Sequence, residues 1–264
     1  MKIATRREIA GNEYELAFYD GFDGLELDGD KWLPYYLPQW SSRARTRAHY
    51  QLTGQSLILT IDPEQQPWCP EFNGQIRVSS LQTGLHAGPL GSAHGQHRFN
   101  PACVVRETQP SLRLYTPHHG YIEFRARCRI SPNHVAALWM IGLEEVPEHS
   151  AEICLFELKG QNVKSDSAII GYGLHPFADP TLTDEFFEEA FALDVSDYHN
   201  YGVEWCQDRL CFYIDGKPVR TLGQSPNYPM QLMLNLYDLQ NRNTTPAHFE
   251  IDYLAGFKII NKIK

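Results

Sequence analysis

Hydrophobic and polar positions along this chain alternate with a period of two far more often than with the period of a helix. Tyr121 to Ile130 is the clearest case, with Tyr121, Glu123, Arg125 and Arg127 on one face and Ile122, Phe124, Ala126 and Cys128 on the other. That is the pattern of a half-buried strand. Ser56 to Asp62 is short and apolar and is closed by Pro63. Val135 to Leu143, Glu152 to Leu158 and Ala168 to His175 are mostly apolar runs, as expected of strands in the middle of stacked sheets. Tyr201 to Trp205 and Arg209 to Ile214 read as a hairpin around Gln207-Asp208, and Asp215-Gly216 turns into Pro218 to Thr221. Met230 to Tyr237 and Phe249 to Ile260 complete the set.

Arg43, Arg45 and Arg47 alternate as on one strand face, and only Leu182 to Phe191 leaves room for a short helix. Many short strands with few helices predict a two-sheet antiparallel β-sandwich. No repeat or linker divides the chain, so residues 1–264 read as one domain. Gln65 to Val105 is rich in Gly, Pro and His and reads as long loops of the kind that carry binding function.

Composition narrows the functional classes. A sandwich of 264 residues buries a sizeable core without disulfides or metals. The 14 Tyr, 13 Phe and 5 Trp suit both strands and a cleft that packs against sugar faces. The formal charge of −9, with no basic stripe, argues against nucleic acid and anionic polymers and for a neutral ligand. Cysteines 69, 103, 128, 154, 206 and 211 show no metal-type spacing. Cys206 and Cys211 flank a turn and are placed to face each other, but free buried thiols are the favoured reading. Met1 to Glu13 has no apolar leader core and no run of 18 apolar residues occurs, so no membrane span is expected. The sequence as it stands reads as cytoplasmic, and as secreted if a leader has been removed.

The chemistry concentrates in Glu152, Cys154 and Glu157. In a regular strand Glu152 and Cys154 share a face, whereas Glu157 points away. One extra residue in a β-bulge, at Leu155 or Phe156, returns it to their side. Carboxylates in an apolar strand need partners or a function. Two explanations stand: ion pairs with Arg125 or Arg127, or a catalytic pair. Glycoside hydrolysis needs such a pair, one carboxylate ionised and one protonated, and a shared strand suits the short separation of a retaining enzyme. A metal or thiol site of Glu152, Cys154, Glu157 and His175 is a third reading, although the scattered His94, His97, His118 and His119 show no ligand spacing.

Several segments occur in a particular order: Gly120-Tyr121-Ile122-Glu123-Phe124-Arg125-Ala126-Arg127, Ala137-Leu138-Trp139-Met140, Glu152-Ile153-Cys154-Leu155-Phe156-Glu157, His199 to Trp205, Phe212 to Lys217, Pro229 to Leu236, and Ile251-Asp252-Tyr253. Together, over residues 18–260, they resemble glycoside hydrolase family 16, the laminarinase and lichenase group. The resemblance implies a concanavalin A-like jelly roll with a concave cleft. It implies Glu152 as nucleophile and Glu157 as acid/base, with Glu123, Arg125, Trp139, His175, Asn235 and Tyr237 lining subsites. Trp205 is expected in the core.

No cofactor is implied for the reaction, but a structural calcium ion is implied on the convex face, with Asp252 contributing. The partner is an oligo- or polysaccharide and the chain a monomer. The implied activity is a retaining endo-β-glycanase on a neutral polysaccharide, a β-1,3-glucan first, with the pocket at Trp139 and the Trp68 to His97 loop setting specificity. The departure is Cys154, where active relatives carry an Asp that hydrogen-bonds the nucleophile. A thiol is a weak, neutral donor, so a glycan-binding protein on the same fold is the alternative.

Overall fold

In the computed structural model, which describes residues 3–240 and 246–262, the alternating segments pair into two antiparallel sheets. One has, in spatial order, Arg6–Ile9, Asn12–Asp20, His248–Lys262, Gly120–Arg129, His199–Trp205, Leu210–Ile214 and Lys217–Leu222. The hairpin of His49–Leu52 and Leu57–Thr60 pairs onto its long strand His248–Lys262. The other sheet runs Glu185–Phe191, Ala168–His175, Glu152–Val163, His134–Gly142, Met230–Asp238 and Arg77–Gln82.

The core forms because alternation gives each sheet one apolar face and the two faces meet. Ile122, Phe124 and Ala126 from Gly120–Arg129 pack with Leu138, Met140, Ile153, Phe156, Leu234 and Leu236 of the six-stranded sheet. Phe156 lies 5.7 Å from Phe124 and 4.4 Å from Tyr201, ring centre to ring centre. Each of these side chains larger than Ala126 contributes about 1.5–3 kcal/mol by leaving water. Trp205 is buried in this core. All six cysteines are free and buried.

Three expectations are corrected. Leu182 to Phe191 holds no helix: Glu185–Phe191 is an edge strand in register with Ala168–Leu174. Arg43, Arg45 and Arg47 do not share a strand, because Arg43–Thr46 is one helical turn whose N-cap Ser42 accepts the Arg45 N–H. The stretch from Gln65 to Val105 contains a wholly buried strand, Arg77–Gln82. Its Ser79, Ser80 and Gln82 hide the apolar pattern.

The outward face of the six-stranded sheet is not bare. Tyr36, Leu37, Trp40, Trp68, Cys103 and Val105 come from the loops before and after Arg77–Gln82. They pack onto Val78, Ala137, Trp139, Ile141 and Met233. This second apolar cluster includes Cys154, and beside it Val135, Ala137, Trp139, Glu152, Glu157, Lys159 and Tyr237 line a cavity on the same face.

Candidate active site

The bulge that the carboxylate spacing demands is present. Along the neighbouring strand Cys154 faces Trp139 and Phe156 faces Leu138, so Leu155 is the extra residue. On the other side Cys154 faces Gly173 and Glu157 faces Gly171, with the shift again between them. Ile153, Leu155, Phe156 and Leu158 therefore enter the core, while Glu152, Glu157 and Lys159 line one cavity of about 290 Å³. Gly171 makes room for this arrangement. A Cβ there would lie 2.7 Å from the Phe186 ring and 3.2 Å from the Cβ of Glu157.

Burial, and then the charge of Glu157, pushes the Glu152 carboxyl up to about 8. Burial first, then Glu152 and Glu157, pushes the Cys154 thiol well above its ordinary range, so it sits between the carboxylates as a neutral group. Lys159 Nζ is 3.4 Å from Glu157 Oε1 and 2.9 Å from Glu188 Oε1.

The cavity walls are aromatic. Trp139 and Tyr237 come from the sheet, and Tyr36 and His97 from the cover. The Tyr237 hydroxyl donates to that of Tyr36 at 3.4 Å. His97 lies 5.1 Å from Trp139 and 5.3 Å from Phe177 between ring centres. Burial, then nearby His175, lowers the His97 imidazole to about 4, so it is neutral. Its backbone N–H donates to Glu144 Oε1 at 2.5 Å, and burial pushes that carboxyl up to about 8. His175 is in register with Glu152, stacks on Phe186 at 4.7 Å and bonds Asp184 at 2.8 Å.

Of the residues singled out in the sequence, Glu152, Glu157, Trp139 and Tyr237 thus line one cavity. Cys154 lies between the carboxylates and His175 lies at the rim. Three others fall elsewhere. Glu123 and Arg125 sit on the nine-stranded sheet, on the face turned away from the core. Glu123 accepts hydrogen bonds there from Arg7, Tyr121 and Tyr253 at 2.6, 3.1 and 2.8 Å. The reason is the same alternation that sends Phe124 inward, since it points its neighbours away from the other sheet. Asn235 is in the right sheet and on the right face but is wholly buried beneath the cover.

Arg125 binds Asp252 at 2.5 Å and Arg127 binds Glu250 at 2.7 Å. Neither arginine neutralises the carboxylate strand, so pairing with Arg125 or Arg127 does not explain Glu152 and Glu157, and the cation beside Glu157 is Lys159. The Asp252 carboxylate is taken up by a guanidinium, and the described residues assemble no group of three His, Cys, Asp or Glu that could hold a metal. The described residues therefore do not fit a transition metal at Glu152, Cys154 and Glu157. Sequence reasoning missed Tyr36, Lys159 and Phe177 altogether and saw His97 only as a loop histidine. Lys159 was legible in principle, two residues beyond Glu157 on the same strand face.

Residues 113–255, more than half of the 264, match the family model of Glycosyl hydrolases family 16. The chain belongs to that family, and its sandwich is the family's jelly roll. It is 24% identical to the glucan endo-1,3-beta-glucosidase A1 of Niallia circulans over 98% of this chain and 40% of that protein. Among solved structures it is similar to a GlcNAcα1-4Gal releasing endo-β-galactosidase from Clostridium perfringens. That match has a TM-score of 0.83 and 29% identity and covers 97% of this chain and 64% of the other. The catalytic domain of a Thermotoga petrophila laminarinase shares the fold at a TM-score of 0.62 and 17% identity, over 95% of this chain and all of the other. The chain spans less than two thirds of the first two of these relatives.

Proposed function

We propose that the chain is a retaining endo-β-glycanase that cuts a neutral β-linked glycan. The observation that carries this reading is the bulge at Leu155, which turns Glu152 and Glu157 into one aromatic-walled cavity. In the first step Glu152, ionised, attacks the anomeric carbon. The glycosidic bond breaks as Glu157 gives its proton to the leaving oxygen. In the second, Glu157 takes a proton from water, whose oxygen bonds the anomeric carbon and releases Glu152. Neutral Cys154 keeps a third charge out of the pair, and Lys159, bridging Glu157 and Glu188, fixes the acid/base. Trp139 and Tyr237 stack on sugar faces. The scheme uses no cofactor.

A β-1,3-glucan is the first substrate to test, because similarity to a glucan endo-1,3-β-glucosidase extends over nearly the whole chain. A β-galactosidic linkage is the second reading, favoured by the higher TM-score and identity to an endo-β-galactosidase. The test is reducing-sugar release from β-glucans and β-galactose-containing glycans by wild type and Glu152→Gln. Product from one class, reduced on the order of 10³-fold or more by the substitution, is the expected result. Stoichiometric oligosaccharide binding without product on any glycan would make it a glycan-binding protein instead.

A further inference from the structure

The floor of the cleft extends further than the cleft itself. Crossing the six-stranded sheet from Glu157, the residues in register are Ala137, Asn235 and Ser80. From Cys154 they are Trp139, Met233 and Gln82. A glycan laid across the strands would follow these rows. Asn235, Ser80, Met233 and Gln82, however, are all 0% exposed. Asn235 Nδ2 and Oδ1, Ser80 Oγ and Gln82 Nε2 have no hydrogen-bonding partner among the described residues. The polar row that a longer cleft would use is sealed.

What seals it is a built wall. Trp40 donates from Nε1 to the Gln96 carbonyl at 2.9 Å, and Ser41 Oγ donates to the Trp68 carbonyl at 2.5 Å. Gln96 Nε2 in turn donates to the Gly142 carbonyl at 3.0 Å and to Gln231 Oε1 at 2.9 Å, tying the cover to two strands of the sheet. On the opposite side of the carboxylates the neighbouring strand carries Gly171 and Gly173. The nearby rim carries Phe177, 55% exposed and beside both His97 and His175. That side offers an aromatic surface to a sugar chain leaving the site.

We infer that the cleft is one-ended. A terminus of the glycan seats against the wall of Tyr36, His97, Trp139 and Tyr237, and the bond cut lies a fixed, short distance from it. The cavity of about 290 Å³ falls at the lower edge of ligand-pocket sizes, roughly 300–1,000 Å³, the scale of a short terminal piece. This inference rests on the glycosidase reading for its chemistry and on the wall for its geometry, and it narrows that reading from cuts anywhere along the glycan to a bond near one chain end.

The test uses the full chain with tetra- to octasaccharides of β-1,3-glucan and of poly-N-acetyllactosamine, and mass spectrometry of the products. One short product of constant length from every starting length is expected, with polymer viscosity falling more slowly than reducing ends appear. A spread of product lengths with early collapse of viscosity would overturn the inference. A second measurement needs no turnover. Calorimetry with Glu152→Gln compares oligosaccharides carrying a bulky label at one end or the other. The label at the walled end should weaken binding at least about tenfold, or about 1.4 kcal/mol. Equal binding of both labelled forms would overturn the inference. Absence of product with all glycans, alongside unequal binding, would sink the hydrolase reading and leave the wall standing.

Discussion

Glu152 sets a measurable link between pH and stability. Its carboxyl is raised from the ordinary 4.5 to about 8 in the fold, chiefly by burial and then by Glu157. The folded state therefore holds a proton that the unfolded chain gives up between those values. Stability from this group is fully present below the unfolded value and is lost as pH rises through the folded one. Each pKa unit is worth about 1.4 kcal/mol, so complete burial would give an upper limit near 5 kcal/mol. Glu152 is only half-buried, which brings the expectation to on the order of 2–3 kcal/mol.

Glu152→Gln removes the titration and keeps the shape. Urea unfolding of both proteins between about pH 5 and 9 isolates the pH-dependent part, because any fixed cost of the amide cancels in the slope. Glu144, also raised to about 8, is common to both proteins and cancels as well. The variant should gain stability over wild type steadily with rising pH, levelling off above about pH 8. A difference that stays flat across the range would show that Glu152 is not a buried acid, and the electrostatic account of the site would fall with it.

Three further outcomes follow from the same geometry. The proposed mechanism needs Glu152 ionised while Glu157 holds its proton, so the kcat/KM profile of wild type should carry a limb near pH 8, far above the ordinary carboxylate range. Cys154→Asp, which sets a third acid between the two, should move that limb upward, whereas neutral Cys154→Ser should leave it in place; a pH–rate profile of the three proteins checks this. Gly171→Ala should cost about 1–3 kcal/mol in thermal unfolding and slow turnover about tenfold, since its Cβ meets Phe186 and Glu157; unchanged Tm and kcat would contradict the crowding. Arg125→Ala should leave turnover within about twofold of wild type, because Arg125 pairs with Asp252 on the far sheet; a larger fall in kcat/KM would return Arg125 to the cleft.

How much of this was legible in the sequence depended on whether the answer was local. The period-two pattern located most of the strands, and the spacing of Glu152, Cys154 and Glu157 demanded a bulge at Leu155 or Phe156; the structure has it at Leu155. Glu123 and Arg125 went astray because motif order says nothing about which sheet a strand joins, although the alternation already pointed them away from Phe124. The strand Arg77–Gln82 was invisible because it is covered on both faces and carries polar residues in that cover. Tyr36, His97 and Phe177 reach the cleft from distant loops, and no local pattern ties them to Glu152. The sealing of Asn235 is likewise a tertiary event, decided by Trp40, Trp68 and their neighbours folding over the sheet.

The central claim is that Glu152 and Glu157 carry out a double displacement on a β-glycoside. Product analysis by proton NMR, on whichever glycan the substrate panel identifies, tests it most directly, comparing wild type with Glu152→Ala in the absence and presence of azide. Wild type should first release a β-configured end, whereas Glu152→Ala should release nothing alone and yield an α-glycosyl azide when azide fills the space of the missing carboxylate. Undiminished turnover by Glu152→Ala, or an α-configured first product from wild type, would contradict it.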